Sequence, residues 1–108
     1  MMLTLMRIER WDSRREGPVT ESALLQKVQA AGYEVSTLAW PPGTILPSET
    51  QHRERIDAVV TGIVRITLDG ESAILTAGDM VFVPRGAIRR VEVLGPVPVR
   101  CLDAVYHG

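Results

Sequence analysis

The sequence predicts an all-β fold, a sandwich or small barrel preceded by one helix. Seven runs from Tyr33 onward alternate apolar and polar residues with period two. Turn signals punctuate them: Pro41-Pro42-Gly43, Thr61-Gly62, Asp69-Gly70, Ala77-Gly78-Asp79, Pro84-Arg85-Gly86 and Gly95-Pro96. Only one stretch, ahead of these runs, has helical spacing.

In chain order, Leu3 to Ile8 reads as a strand and Glu9 to Pro18 as a polar connection. Thr20 can cap a helix that starts at Glu21, whose carboxylate suits the positive end of the helix dipole. Leu24, Leu25, Val28 and Ala31 recur at helical spacing and Gly32 ends the pattern, which predicts an amphipathic helix over Glu21 to Ala31. The predicted strands are Tyr33–Ala39, Ile56–Thr61, Ile63–Leu68, Ser72–Leu75, Met80–Val83, Arg89–Val93 and Val99–Tyr106. Asp69-Gly70 marks a two-residue hairpin, because both central residues of a type I′ turn need positive φ. Residues 1–32 form an extension and 33–108 the barrel, within one structural domain and with no internal repeat.

Composition narrows the function classes. Hydrophobic residues make up 45% and charged residues 23%, as in an ordinary globular protein. Twelve basic against thirteen acidic residues leave a net charge of -1, so no field draws in nucleic acid or an anionic membrane. No run approaches the roughly 20 apolar residues that span a bilayer, and the N-terminus lacks the pattern of a signal peptide. Cys101 is the only cysteine and can form no intrachain disulfide. These features suggest a soluble cytoplasmic protein.

Two segments carry the strongest pattern. One runs from Gly43 through Glu49, Gln51 and Arg55 to Gly62; the other runs from Gly78 through Pro84 and Gly86 to Arg89. Their framework resembles that of the cupin superfamily, G-x5-H-x-H-x3–4-E-x6-G and G-x5-P-x-G-x2-H. Every glycine and the proline fall in register, over roughly Tyr33 to Tyr106. The resemblance implies a jelly-roll barrel with an open mouth, akin to the small "cupin 2 conserved barrel" proteins, with homodimers that pair sheets or exchange N-terminal strands. It also places the four metal-ligand positions at Glu49, Gln51, Arg55 and Arg89.

Those four residues depart from the family's three histidines and a carboxylate. A guanidinium stays protonated and offers no lone pair, so Arg55 and Arg89 cannot ligate. A fixed cation 4 Å from a unit positive charge opposes it by roughly 4 kcal/mol at an effective dielectric of about 20, and a dication by more. No metal and no cofactor is therefore expected; a salvage site from Glu49, His52 and Glu54 needs two of them to turn inward from a loop.

Strand parity gives the pocket that replaces the metal. If Arg55 points inward, Asp57 and Val59 follow it, while Ile56, Ala58 and Val60 face the other side. An inward Arg89 carries Val91 and Val93 with it. The predicted inner cluster is Glu49, Gln51, Arg55, Asp57 and Arg89. It is either an ion-pair network that ties the two motif strands together or a site with one arginine free for a carboxylate, phosphate or sugar hydroxyl. His52, Arg85 and His107 read as solvated or terminal residues, Cys101 as a buried inert thiol, and Trp40 as a plug at the barrel end.

Function follows in outline only. The cluster fits a metal-free module that binds or senses an acidic or sugar-like small molecule. A metal-independent sugar or small-acid isomerase or epimerase is the alternative; by resemblance it needs a histidine base held by a carboxylate and a tyrosine acid. A metal-dependent dioxygenase conflicts with the ligand replacements.

Overall fold

Two antiparallel sheets face each other in the computed structural model, which describes residues 6–107. The elements run β1 (Arg7–Glu9), α1 (Ser13–Glu16), α2 (Glu21–Ala30), β2 (Tyr33–Trp40), β3 (Ile45–Thr50), β4 (Arg55–Thr61), β5 (Ile63–Leu68), β6 (Glu71–Leu75), β7 (Met80–Val83), β8 (Ile88–Leu94) and β9 (Val99–Tyr106). One sheet has the order β1-β7-β4-β9-β2 and the other β3-β8-β5-β6. This is the predicted all-β jelly roll, with non-sequential strands as neighbours in both sheets.

The helix forms where its cap predicted. The Thr20 hydroxyl accepts from the Ala23 amide, and Leu24 and Val28 are buried four residues apart on one face of α2. They pack with Ile56, Ala58, Val60, Met80, Leu102 and Ala104 on the outside of the five-stranded sheet. Burial of one such aliphatic side chain contributes about 1.5–3 kcal/mol. The opposite parity fills the space between the sheets with Val59, Val64, Ile66, Leu75, Val81, Val91, Val93, Val99 and Cys101. The alternation read from β4 and β8 therefore separates two cores correctly.

The β5–β6 hairpin has the expected turn, with φ of 48° at Asp69 and 87° at Gly70. Two elements differ from the sequence reading. The polar connection contains a one-turn helix, α1, capped by Asp12, whose side chain accepts from the Arg14 amide. The Ile45–Thr50 stretch is an edge strand although Pro47 lies within it; a register break between Leu46 and Glu49 accommodates the missing N–H. Of the N-terminal strand expected at Leu3 to Ile8, residues 3–5 lie outside the described residues, and β1 pairs Arg7–Glu9 with Met80–Phe82.

Candidate functional site: paired charges in the barrel interior

Parity brings Arg55 and Asp57 on β4, Arg89 on β8 and Asp103 on β9 to the inner face. Asp57 and Asp103 are direct partners across the β4–β9 ladder, so two carboxylates stand side by side. Like charges at facing positions oppose each other, and each is met by a guanidinium. Arg89 Nη1 donates to Asp57 Oδ2 at 2.7 Å, a contact from one sheet to the other. Arg55 Nη1 donates to both Asp103 oxygens, at 2.7 and 2.9 Å. The Arg89–Asp57 side chains are only 14% and 12% exposed, the Arg55–Asp103 pair 25% and 23%.

The deeper pair carries an electrostatic tension. Burial pushes the Asp57 carboxyl above its usual range; the Arg89 guanidinium pulls it back, and Asp103 adds to the rise. Cys101, on the same face, is pushed up to about 12, first by burial and then by Asp57 and Asp103. Its thiol donates weakly to the Leu38 carbonyl at 3.8 Å. This is the inert cysteine read from the sequence.

The predicted cluster is assembled in part. Asp57 and Arg89 meet as expected. Arg55 is inward but pairs with Asp103, which lies outside the predicted cluster. Glu49 departs from the prediction. It is the register partner of Arg89 on β3, but β3 is an edge strand, and the Glu49 side chain is exposed there with no ion pair among the described residues. Gln51 is buried, but its amide donates to the Glu49 carbonyl at 3.1 Å instead of facing the arginines. Its backbone is held by Ala87 and Gly86.

His107, read from the sequence as a terminal residue, is engaged with two charged side chains. Its Nε2 lies 2.6 Å from Glu34 Oε2, and Arg53 Nη1 lies 3.0 Å from its Nδ1. With Glu34, Ser36, Arg53, Arg55 and Val105 it lines a cleft of about 270 Å³ along the inner face of β2, β4 and β9. Of the five predicted residues only Arg55 borders this opening. The facing of Glu34 and Ser36 follows from their register with Val105 and Asp103, which needs the β2–β9 pairing and could not be read from one strand.

These residues do not fit a divalent metal. Two of the four ligand positions hold guanidiniums already committed to aspartates, and Gln51 is turned to a backbone carbonyl. Among the described residues no three His, Cys, Asp or Glu side chains converge on a point that could hold a metal ion. The Glu49, His52 and Glu54 alternative is not assembled either, since these three side chains do not converge on a point, and Glu54 instead accepts from the Tyr33 hydroxyl at 2.8 Å.

A two-sheet jelly roll with charged pairs set in an apolar interior defines a class of barrel, and comparison with known proteins gives the family. The chain belongs to the cupins: the Cupin domain model matches residues 36–105. Its fold is similar to that of a cupin 2 domain-containing protein from Halorhodospira halophila, with TM-score 0.72 and 22% identity over 98% of this chain and 80% of that one. It is similar also to a putative ethanolamine utilization protein Q from Salmonella typhimurium, with TM-score 0.57 and 25% identity over 82% and 64% of the two chains. The cupin domain of Schizosaccharomyces pombe Cnp3 matches with TM-score 0.65 and 17% identity over 69% of this chain and 56% of that one. The chain thus spans little more than half of that domain, and 35% of the similar AerE from Microcystis aeruginosa. No curated protein matches. No helix among the described residues is long and apolar enough to cross a membrane.

Proposed function

We propose that this cupin is a metal-free module that binds or senses a small acidic or sugar-like molecule at the inner mouth. One observation carries the reading: at the two metal positions taken by arginine, the guanidiniums are locked to Asp57 and Asp103, so the barrel interior holds charge without a metal. Beside the pairs, Ser36 and Glu34 supply polar groups at the opening that suit hydroxyls, and Arg53 and Arg55 supply cations that suit an acidic group. Arg55, which borders the opening, donates only through Nη1 among the described residues and retains donors for a second acceptor. A thermal-shift screen of small carboxylates and sugar acids in the presence of EDTA tests this. Saturable stabilisation supports the reading, and a stoichiometric transition metal in untagged protein overturns it.

Self-association belongs to the same proposal. The β2 strand leaves an eight-residue edge without proline or register break, whereas the β3 edge carries both. An edge of this kind is a template for a second chain, and a homodimer follows. Sedimentation showing only the 11.9 kDa species at micromolar concentration counts against it.

The isomerase alternative gains one observation. His107, not His52, is the histidine held by a carboxylate, and it borders the same cleft as Tyr106. Exchange of substrate α-protons with deuterated solvent, lost in His107→Ala, is the signature to seek.

A further inference from the structure

Beside the smaller cleft, with which it shares Arg53 and His107, a larger cleft of about 600 Å³ is lined by His52, Arg53, Glu54, Arg85, Tyr106 and His107. Three separate segments build it: the β3–β4 connection, the β7–β8 turn and the end of β9. They are tied together through the backbone. The Gln51 amide donates to the Ala87 carbonyl at 2.8 Å, the Gly86 amide to Gln51 at 2.7 Å, and the Tyr106 amide to Glu54 at 3.0 Å. The side chains around the cleft therefore stand on anchored backbone, not on free loops.

Donors predominate in its lining. Two guanidiniums, two imidazoles and a phenol face one carboxylate, Glu54, whose Oε1 already accepts from Tyr33. The His107 ring lies between Arg53 and Glu34. Among the described residues Arg85 and His52 have no side-chain partner. Arg85 also borders a neighbouring cleft of about 320 Å³ with Asp69 and Glu71 and forms no ion pair with either. Two cations with donors left over, set on different segments around one opening, are chemically matched to an anion with several oxygens.

We propose that this cleft is an anion subsite that takes the phosphate group of a phosphorylated small molecule, with Arg53 and Arg85 as its guanidinium donors and His52 and Tyr106 completing the shell. A planar carboxylate is satisfied by one arginine fork. A tetrahedral phosphate presents oxygens in several directions and matches donors that arrive from three segments. The proposal rests on the reading that the barrel binds a small acidic molecule, and it names the class. The cleft shares Arg53 and His107 with the inner mouth, so a phosphate held here places the rest of the ligand toward Ser36 and Arg55.

The test uses the full chain with inorganic phosphate as the probe, titrated at constant ionic strength against chloride, with small carboxylates run in parallel. Phosphate should raise the melting temperature saturably where chloride does not. Arg85→Gln and Arg53→Gln should each weaken the apparent affinity about tenfold, the effect of one charge-assisted hydrogen bond, whereas Arg15→Gln on α1 should not. Arg85 has no partner to lose, so its variant folds as the parent does. Stabilisation that survives both substitutions, or none beyond chloride, overturns the subsite. If carboxylates bind while phosphate has no effect, the subsite is wrong and the binding-module reading stands. If phosphate binds through Arg85 while no carboxylate or sugar acid binds, the subsite holds and the inner-mouth reading is the one in error.

Discussion

Arg89 reaches from the four-stranded sheet to Asp57 on the five-stranded sheet, with Nη1 2.7 Å from Oδ2 and both side chains largely buried. It links the two layers with charge where the surrounding contacts are apolar. Removal of one partner strands the other. Arg89→Ala should therefore cost about 3–5 kcal/mol of stability, measured by urea denaturation. Joint replacement of Asp57 by Leu and Arg89 by Met should recover most of that loss, because an apolar pair of similar volume leaves no charge unmet. A single variant as stable as the wild type would show that the contact contributes nothing.

The same pair sets a pH dependence. Burial raises the Asp57 carboxyl above its ordinary value, despite Arg89. Between the ordinary and raised values the folded chain then binds more protons than the unfolded chain, so this contribution to stability declines as pH rises through that window. The exposed Glu16 and the half-buried Glu92, held low by Lys27 and by Arg90 respectively, act with the opposite sign: their contribution is lost as pH falls. Denaturation midpoints of wild type and Asp57→Asn, compared from pH 4 to pH 7, isolate the Asp57 component. The advantage of wild type over the variant should shrink toward neutral pH.

Restoration of the family ligand set should create a metal site. Glu49 and Arg89 are register partners on β3 and β8, and Arg55 lies on the same inner face. Together Glu49→His, Gln51→His, Arg55→Glu and Arg89→His should bind one divalent transition metal per chain, while Arg89→His alone should not because Arg55 remains. Elemental analysis of protein purified without an affinity tag distinguishes the two.

How much of this was legible depended on how local the cause was. The helix cap at Thr20, the Asp69-Gly70 turn and the alternation on β4 act within a few residues, and each appeared as expected. The Arg89–Asp57 contact was also accessible, since the motif framework aligned two strands and burial forces charges to pair. Asp103 was missed as a partner because its position opposite Asp57 depends on the β4–β9 register, which no single strand encodes. Glu49 failed for a related reason: inward parity buries a residue only where a neighbouring strand covers it, and β3 is an edge. The contacts of His107 to Glu34 and Arg53 join residues far apart in sequence, so nothing local to His107 announces them.

Cys101 should resist thiol reagents in the native protein. With the thiol pushed up to about 12 and the side chain buried among aliphatic residues, almost no thiolate exists at neutral pH. Reaction with a disulfide reagent at pH 8 should be slow in buffer and complete in denaturant. Rapid labelling of the folded chain would mean that the interior opens at that face.

Gly78 connects the second motif to the N-terminal extension, and its substitution separates packing from backbone strain. It has φ of +90°, and a Cβ there would lie 2.7 Å from Trp11 Cβ and 3.1 Å from Val19 Cγ2. The Trp11 backbone cannot yield easily, because its amide donates to the Gly78 carbonyl at 3.1 Å and its indole N–H to Gly17 at 2.8 Å. Gly70 has a similar φ of +87° but open space around it. Gly70→Ala should thus cost only the left-handed backbone term, roughly 1–2 kcal/mol. Gly78→Ala should cost a further 1–3 kcal/mol or so for the overpacked contact, with Trp11 fluorescence changed in the folded state. Equal destabilisation of the two variants would mean that the extension moves aside freely and that Gly78 serves its turn alone.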